Sequence, residues 1–295
     1  MTSPIIVAVG SANVDILATV PHLPVEGERL TATDFLTIPG GMAANCACAA
    51  ARVGANVIFF GRTSSDALSN ILTTDFERHG VNMLGLNRDA PHTTLNLITT
   101  AVSGERSIIA EPNIHHPDKL MDYLQGHQPV LVYVDGYHLG VIQAELAYAE
   151  AQNVICFCDL DGAVNSYPSN EVLGMLEHLN IILWNPPISQ VLFPELSPVD
   201  ASKYLADKYA LRVILTQAAN DVVLIADEKV KTFVVPPQPN LVDTTGAGDT
   251  FAGVFMHAYT QTGLLEQAVR RAIDAASLSV NYYGARGGLD RLEPF

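Results

Sequence analysis

Short, continuous apolar segments recur along the chain and alternate with longer segments whose apolar residues follow a helical period. Such segments are typical of strands in a sheet that is covered on both faces. The predicted strands of this sheet lie at 5–9, 56–61, 130–134, 154–158, 181–184 and 213–215. The pattern predicts an α/β fold with a doubly wound, mostly parallel sheet covered by helices.

Helices are predicted between the strands, mostly from apolar residues three and four positions apart. Near the end of the chain, for example, Phe251, Val254 and Phe255 follow this spacing. Gly54 and Gly80 stand where left-handed residues commonly end a helix. The other predicted helices lie at 39–53, 66–79, 141–151, 171–179, 198–209 and 264–282.

Two regions rich in β-forming residues lie outside this alternation. The first is 16–38, and the second is a predicted β-hairpin formed by 93–102 and 106–111. We expect the two regions, about 16–38 and 93–111, to form a small β-sheet lid on a single domain of residues 1–295. A second hairpin, 222–226 with 230–235, is predicted ahead of the last helices.

Charge and composition narrow the possible partners. The chain has 295 residues, a formal net charge of -15 and 48% hydrophobic residues. This charge argues against nucleic acid or an anionic membrane as a partner. The first nine residues lack a basic segment and a long apolar segment, so we expect neither a signal peptide nor a membrane span, and a cytoplasmic location.

Four cysteines occur as two Cys-x-Cys pairs, which raises the question of a zinc site. Cys46 and Cys48 lie in an alanine-rich helical segment, where positions i and i+2 point in different directions. Cys156 and Cys158 lie in a predicted strand. We therefore expect buried, reduced thiols that pack as small apolar groups.

The segment 241–253 has small residues at a predicted junction between a loop and a helix. Gly246, Ala247 and Gly248 would let backbone N–H groups approach an anion, which the helix dipole also favours. Asp249 follows in the first helical turn, where we expect a low pKa. An anion site beside a carboxylate suits phosphoryl transfer to a hydroxyl that the carboxylate orients and deprotonates. Taken alone, Asp249 is equally typical of a helix cap, and the glycines of a tight turn.

The whole segment closely resembles the C-terminal signature of the PfkB (ribokinase-like) carbohydrate kinases, with its Asp-Thr-x-Gly-Ala-Gly-Asp core intact. The resemblance covers essentially the whole chain and implies a ribokinase-like fold. It implies that Asp249 is the catalytic base and that the backbone of Gly246, Ala247 and Gly248 forms the anion hole. The alternative phosphate motif, a P-loop, does not occur in the sequence.

The segment 39–45, which opens an alanine-rich helix, resembles the N-terminal signature of the same family. Asn13 and Asp15 come before it, just past the first predicted strand, where turns and ligand sites are both common. The resemblance implies that one set of residues binds sugar hydroxyls: Asn13, Asp15, Gly40, Gly41 and Asn45. Carboxylates accept, and amides both accept and donate, so this set suits neighbouring hydroxyl groups.

The nucleotide side departs from the family pattern in two places. A family Asn-x-x-Glu motif, whose glutamate helps to organise Mg²⁺, appears here as Asn185 with Ile188 in the glutamate position. Isoleucine cannot bind a hydrated cation, so the nucleotide phosphates, Asp249 or other residues would hold the metal. A family Thr-x-Gly-x-x-Gly motif begins at Thr216 but has Ala218 and Asp221 in place of the glycines. Without them, close backbone approach to the phosphates is expected to be weaker.

Two positions near the C-terminal signature resemble ion and nucleotide contacts. Asp243 and the carbonyl of Thr245, with the loop 281–288, match a region that binds a monovalent cation such as K⁺ in many family members. Gly284 matches a position beside the adenine. Without the resemblance, Asp243 is equally typical of an ordinary loop residue.

These features predict an ATP-dependent kinase that phosphorylates a small sugar, with Mg²⁺ and, by resemblance, K⁺ as ions. A primary hydroxyl of a ketohexose or pentose-like sugar is the expected acceptor. Arg106 in the lid is a candidate contact to a substrate oxygen, although an exposed hairpin arginine is the commoner outcome. Two alternatives stay open: a nucleoside kinase of the same family, and a sugar- or nucleotide-binding protein with impaired catalysis. Related lids often pair across a dimer, so we expect a homodimer through the lid.

Overall fold

Two β-sheets organise the chain in the computed structural model, which describes residues 4–295. Residues 1–3 lie outside the described residues. The expectation that the first nine residues contain no targeting segment therefore falls partly outside them. The strands are β1 (Ile5–Val9), β2 (Asn13–Val20), β3 (Asp34–Gly40), β4 (Asn56–Arg62), β5 (Asn82–Asn87), β6 (Leu95–Ala101), β7 (Arg106–Ala110), β8 (Leu131–Asp135), β9 (Ile155–Asp159), β10 (Ile181–Trp184), β11 (Arg212–Gln217), β12 (Asn220–Ala226) and β13 (Lys229–Phe233).

Helices connect most of these strands. They are α1 (Met42–Arg52), α2 (Ser69–His79), α3 (Leu120–Gly126), α4 (Gln143–Ala151), α5 (Ala163–Ser166), α6 (Ser169–Gly174), α7 (Pro186–Leu192), α8 (Pro198–Tyr209), α9 (Ala247–Thr262) and α10 (Leu265–Ser279). Short 3₁₀ segments occur at Leu139–Ile142 and Leu289–Arg291. Within the described residues, no helix is both long enough and apolar enough to cross a membrane.

The larger sheet has nine strands in the order β13-β12-β11-β10-β9-β8-β1-β4-β5. The strands from β11 to β5 are parallel, and β12 and β13 add an antiparallel edge. The doubly wound, mostly parallel sheet predicted from the sequence is therefore confirmed. Because β1 lies between β4 and β8, the strand order reverses beside β1. Ligands of such sheets bind at this position, beyond the carboxyl ends of the strands.

Successive residues of the strands pack against helices on opposite faces of the sheet. In β1, Ile6 and Ala8 join a core with α1, α2, α9 and α10. Val7 and Val9 join a second core with α3, α4, α7 and α8. All four cysteines are buried in these cores, in α1 and β9 as predicted.

The smaller sheet is the lid and has the strand order β3-β2-β6-β7. β2 pairs in parallel with β6, and the other two pairs are antiparallel. The predicted hairpin of β6 and β7 is confirmed. However, β2 already begins at Asn13, so Asn13 and Asp15 lie in the lid itself and not in a loop after β1. The reason is their backbone pairing with β3, in which Asn13 faces Gly40 and Asp15 faces Ile38.

Several predicted helix boundaries are wrong. The helix predicted from residue 66 begins at Ser69, because the Asp66 carboxylate accepts hydrogen bonds from Ser69 N at 3.0 Å and Thr93 Oγ1 at 2.6 Å. Asp66 thus ties the turn before α2 to the segment leading into β6. The helix predicted at 171–179 ends at Gly174, and α7 lies where no helix was predicted.

Candidate active site

The first turn of α9 presents unpaired N–H groups to open space. Gly246 precedes the helix with a φ of 74°, a left-handed conformation that favours glycine, and a Cβ there would lie 2.5 Å from the Ala285 Cβ. Within residues 4–295, the backbone N–H groups of Gly248 and Asp249 have no protein acceptor, whereas Thr250 N donates to Gly246 O at 2.8 Å. A Cβ on Gly248 would meet no heavy atom within 4 Å. This arrangement suits an anion.

Asp249 lies beside this open region and accepts a hydrogen bond from Asn45 Nδ2 at 2.7 Å. Burial raises the pKa of Asp249 to about 7, against the lowering effect of the Asn45 hydrogen bond. The negative charge of Asp161 raises the pKa further, and the positive charge of Arg286 lowers it. The low pKa expected from the sequence is therefore wrong, because loss of hydration outweighs the helix dipole.

Arg286 connects Asp249 indirectly to the predicted sugar-binding segment, and the sequence analysis missed it. Its Nε donates to Asn45 Oδ1 at 2.8 Å, and one terminal nitrogen donates to Gly40 O at 3.1 Å. The other terminal nitrogen forms an ion pair with Asp75. The sequence carries little signal for this network, because its partners are far apart along the chain.

Asp15 lies at the centre of the other predicted sugar contacts. Its Oδ1 accepts hydrogen bonds from Asn13 Nδ2 at 2.6 Å and Asn96 Nδ2 at 3.0 Å. Burial raises the pKa of Asp15, and the two amides partly oppose this rise. A Cβ on Gly40 would lie 2.3 Å from Asp15 Oδ2, so only glycine leaves this oxygen room. Gly41 follows immediately and precedes α1. Asn96 was not predicted as a site residue, although the pairing of β6 with β2 places it opposite Asp15.

Arg106 reaches from β7 of the lid to the loop before α9. Its guanidinium is exposed and donates to Thr245 Oγ1 at 3.3 Å. Its positive charge also helps to lower the pKa of Asp243 in this loop. Arg106 therefore links the lid to the loop that leads into α9.

Asp243 organises the loop before α9. Its Oδ1 accepts hydrogen bonds from Thr245 N at 2.9 Å and Thr245 Oγ1 at 2.7 Å, and its Oδ2 accepts one from Gly284 N at 2.9 Å. Burial alone would raise the pKa of Asp243, but the hydrogen bonds from Thr245 and Gly284 lower it overall. Asp243 therefore keeps its negative charge.

Asn185 and Thr216 lie beside each other at the carboxyl ends of β10 and β11. Asn185 Oδ1 accepts from Ile188 N at 3.2 Å and so caps α7, while Thr216 Oγ1 donates to Trp184 O at 3.3 Å. Ile188 is 2% exposed and packs in the core between the sheet and α7 and α8. Its side chain therefore offers no ligand for a metal ion.

Comparison with known proteins defines the family. Residues 4–291 match the sequence model of the pfkB family carbohydrate kinases. The chain belongs to this family. It is 30% identical to the ribokinase of Bacillus subtilis over 292 residues, which cover 96% of this chain and 95% of the relative.

Two solved structures are similar to this PfkB family member over almost its whole length. Ribokinase from Arabidopsis thaliana complexed with ribose and ATP has a TM-score of 0.85 at 25% identity, covering 100% of this chain and 96% of the other. Ribokinase from Thermotoga maritima has a TM-score of 0.84 at 26% identity, covering 97% and 96%. The predicted ribokinase-like fold is confirmed, and so is the enzyme class. The protein is a carbohydrate kinase, a phosphotransferase of a family whose structures support ATP as the donor.

The hairpin between β11 and β12 differs from the family's glycine motif. Ala218 has a φ of 54°, a left-handed conformation that glycine adopts without strain. Asp221 is half-buried, and its carbonyl accepts from Gln217 Nε2 at 2.8 Å. The chain therefore keeps the backbone conformation of a glycine turn at Ala218 and accepts steric strain there.

Replacing Ala218 with glycine is expected to raise the free energy of unfolding. Relief of about 1–2 kcal/mol of strain is partly offset by about 0.5–1 kcal/mol of backbone entropy, leaving a gain of roughly 0.5–1 kcal/mol. Urea unfolding measures this change. Ala219, the next residue of the same turn, is the control: its φ is not positive, so Ala219→Gly should destabilise the protein. Equal destabilisation by both substitutions would contradict the strain at Ala218.

Proposed function

We propose that the protein transfers the γ-phosphoryl group of ATP to a primary hydroxyl of a small neutral sugar, a ketohexose or a pentose-like sugar. The observation that carries this proposal is the position of Asp249, a carboxylate with a pKa of about 7 next to two N–H groups that have no acceptor among residues 4–295. A base whose pKa lies near the working pH is well suited to proton transfer. The free N–H groups would stabilise the charge of the transferred group.

In the proposed reaction, the sugar hydroxyl oxygen attacks the γ-phosphorus of ATP. The bond between this phosphorus and the bridging oxygen breaks, ADP leaves with that electron pair, and the hydroxyl proton moves to Asp249. Asn45 already occupies Oδ2 of Asp249, so Oδ1 is available for the proton. Gly246, Ala247 and Gly248 form the backbone of the proposed anion hole. Its donors would be the N–H groups of Gly248 and Asp249, since the Ala247 N–H donates to Thr244 O at 3.3 Å. Positioning is expected to contribute most of the rate, as in other loose phosphoryl transfers.

The sugar is proposed to lie between the lid and the start of α1. In the described part of the chain, Asp15 Oδ2 and the second N–H of Asn45 have no hydrogen-bond partner, so both could bind hydroxyl groups. Asn13 and Gly40 lie beside Asp15. Gly41 would add a backbone contact at the start of α1. Arg106 is proposed to reach a substrate oxygen from the lid when the lid closes. Closure of one lid over a single domain would also exclude water from the reaction.

ATP is proposed to bind along Asn185, Thr216 and Gly284, and to carry Mg²⁺ into the site on its phosphates. Within residues 4–295, no group of three or more His, Cys, Asp or Glu side chains could hold a metal ion. Mg²⁺ commonly keeps several waters and binds through substrate phosphates with few protein ligands, so this chemistry fits. The bound ion would neutralise charge on the transferred group.

A K⁺ ion is proposed beside the anion hole, held by the Asp243 carboxylate and the Thr245 carbonyl. The lowered pKa of Asp243 keeps that group negative, and the Thr245 carbonyl accepts no backbone hydrogen bond within the described part of the chain. Both are hard oxygen ligands of the type that K⁺ accepts. The ion would add positive charge next to the anion hole.

We also propose a homodimer formed through the outer face of the lid. Phe35, Leu97 and Ile109 lie on the face opposite Asp15 and are 68%, 47% and 69% exposed. An apolar face on a sheet with open edges is typical of an interface. Sedimentation velocity is expected to show a dimer, and Ile109→Asp is expected to dissociate it. A wild-type monomer at micromolar concentration would contradict this proposal.

A coupled assay of ADP release with ATP and Mg²⁺ tests the proposed reaction. The acceptor panel contains ketohexoses, aldopentoses, sugar acids, nucleosides and phosphorylated sugars, each with and without K⁺. We expect release that depends on a neutral sugar. Faster turnover of a nucleoside would favour the nucleoside kinase. Stabilisation by sugar or nucleotide in a thermal shift assay without any turnover would favour a binding protein with impaired catalysis.

A further inference from the structure

Arg286 holds together three segments of the candidate site, and none of the roles proposed above uses it. Its side chain is only 6% exposed. It contacts Asn45 in α1, the carbonyl of Gly40 at the end of β3, and Asp75 in α2. The ring of Phe76 lies 5.7 Å from the guanidinium carbon. Arg286 is therefore held in one orientation from several sides.

This orientation determines how Asn45 faces Asp249. An arginine side chain only donates hydrogen bonds, so the atom of Asn45 that faces Arg286 Nε at 2.8 Å must be its oxygen. The Asn45 amide nitrogen then points the other way and donates to Asp249 Oδ2 at 2.7 Å. With the amide reversed, an oxygen would face the carboxylate and repel it. Arg286 thus makes Asn45 a donor to Asp249.

We propose that Arg286 is a positioning residue for phosphoryl transfer, which acts through Asn45 to fix the Asp249 carboxylate with Oδ1 turned to the substrate hydroxyl. This inference rests on the proposed function, in which Asp249 is the base. Arg286 does not touch the reacting atoms in this scheme. Its effect comes from the geometry of Asn45 and, secondly, from its positive charge.

The positive charge of Arg286 opposes the effect of the neighbouring carboxylates on Asp249. Burial first, and then Asp161 and Asp135, raise the pKa of Asp249, while Asn45 and Arg286 lower it. The other titratable groups near Asp249 are Asp159 of β9, Cys46 of α1, Tyr133 of β8 and Tyr137. The Cys46 thiol and the two tyrosine hydroxyls have raised pKa values, so they carry no charge in the pH range where Asp249 titrates. Loss of the Arg286 charge should therefore raise the pKa of Asp249 above about 7.

A purely structural role is the alternative, because Arg286 also pairs with Asp75. Burial alone would raise the pKa of Asp75, but His79 and Arg286 lower it to about 2. Breaking this pair would destabilise the protein whatever Arg286 does for catalysis. The test therefore needs measurements that a loss of stability alone would not change. These are the separate changes in kcat and KM, and the pH of the acid limb of kcat/KM.

Two substitutions separate geometry from charge. In Arg286→Met both are lost, so we expect kcat to fall by about 10²-fold with a smaller change in the sugar KM, as for a misplaced reacting group. The acid limb of kcat/KM should also move to higher pH, since protonated Asp249 cannot accept the proton. Arg286→Lys keeps the charge but cannot bond the three acceptors at once. We expect its acid limb near that of the wild type and its kcat still reduced.

Arg52 provides the matched control. It also lies in α1 and donates to carbonyls near the C-terminus, to Leu289 O at 3.1 Å and Asp290 O at 3.0 Å. Within residues 4–295 it forms no hydrogen bond to Asn45 or Asp249. Arg52→Met should lower the melting temperature and leave kcat and the acid limb unchanged. If Arg286→Met does not fold, Asn45→Asp removes the donor to Asp249 and keeps a partner for Arg286. The same fall in kcat is then expected, with a larger rise in the sugar KM because Asn45 is also a proposed sugar contact.

Three results would overturn the inference: full kcat in Arg286→Lys, full kcat in Arg286→Met, or unchanged kcat in Asn45→Asp. If the wild type phosphorylates no acceptor in the panel, the proposed function fails separately. The effect of Arg286 on Asp249 is then tested by ¹³C NMR titration of the Asp249 carboxyl, assigned with Asp249→Asn. A titration midpoint that rises in Arg286→Met and not in Arg52→Met supports the inference, and an unchanged midpoint refutes it.

Discussion

Replacing Asp249 with asparagine is expected to lower kcat by about 10²–10⁴-fold, the usual contribution of a general base. The asparagine has nearly the same shape and can still accept the hydrogen bond from Asn45, so the fold and the sugar affinity should change little. Its amide cannot take the hydroxyl proton. ADP release measures the loss of kcat, and isothermal titration calorimetry with the sugar checks binding.

Asp161 provides the control for this substitution. It is a neighbouring carboxylate whose charge raises the pKa of Asp249. In Asp161→Asn the acid limb of kcat/KM should move to lower pH, because the pKa of Asp249 falls, and kcat at neutral pH should be retained. Near wild-type turnover in Asp249→Asn would show that another group takes the proton.

Replacing Gly248 with alanine is expected to lower kcat/KM for ATP by about 10²-fold, comparable to removal of one oxyanion donor. The protein itself has room for the new methyl group, since a Cβ at Gly248 meets no heavy atom within 4 Å. The same open space is where the transferred phosphoryl group is proposed to bind. The variant should therefore fold normally, and alanine at this helical position even favours the helix.

Gly174 at the end of α6 is a matched control, because a Cβ there also meets no heavy atom within 4 Å. Gly174→Ala should leave kcat/KM for ATP unchanged. Both variants need a melting temperature measurement, so that loss of fold is not mistaken for loss of binding. Wild-type kcat/KM in Gly248→Ala would place the anion site elsewhere.

Local sequence patterns predicted most of the central sheet, because buried parallel strands are short, continuous apolar segments. They also predicted α8 at its observed ends, where Ser197 caps the helix and Pro198 begins it. α7 was missed although Asn185 caps it and prolines begin it, because seven residues are too few to show a helical period. The position of Asn13 in β2 was missed because strand pairing depends on β3, not on local sequence.

In the candidate site, too, the features set by a local segment were predicted from the sequence, and those set by distant residues were not. The glycines and Asp249 form one local segment, so their residue types alone pointed to an anion beside a carboxylate. The contact between Arg286 and Asn45 joins residues 241 positions apart, and no local pattern carries it. The pKa of Asp249 was misjudged for the same reason, since it depends on burial by other segments.

The membership of Asp15 in the lid has a consequence for how the enzyme would choose its substrate. In the proposed lid closure, Asp15 would move with β2, whereas Asp249 lies at the start of α9 beside the central sheet. A sugar bound to both residues would bridge the lid and the larger sheet with its helices. Its length from one hydroxyl to another would then set how far the lid shuts, and a sugar of the wrong span would bind without completing closure. Discrimination between sugars would appear in turnover more than in affinity.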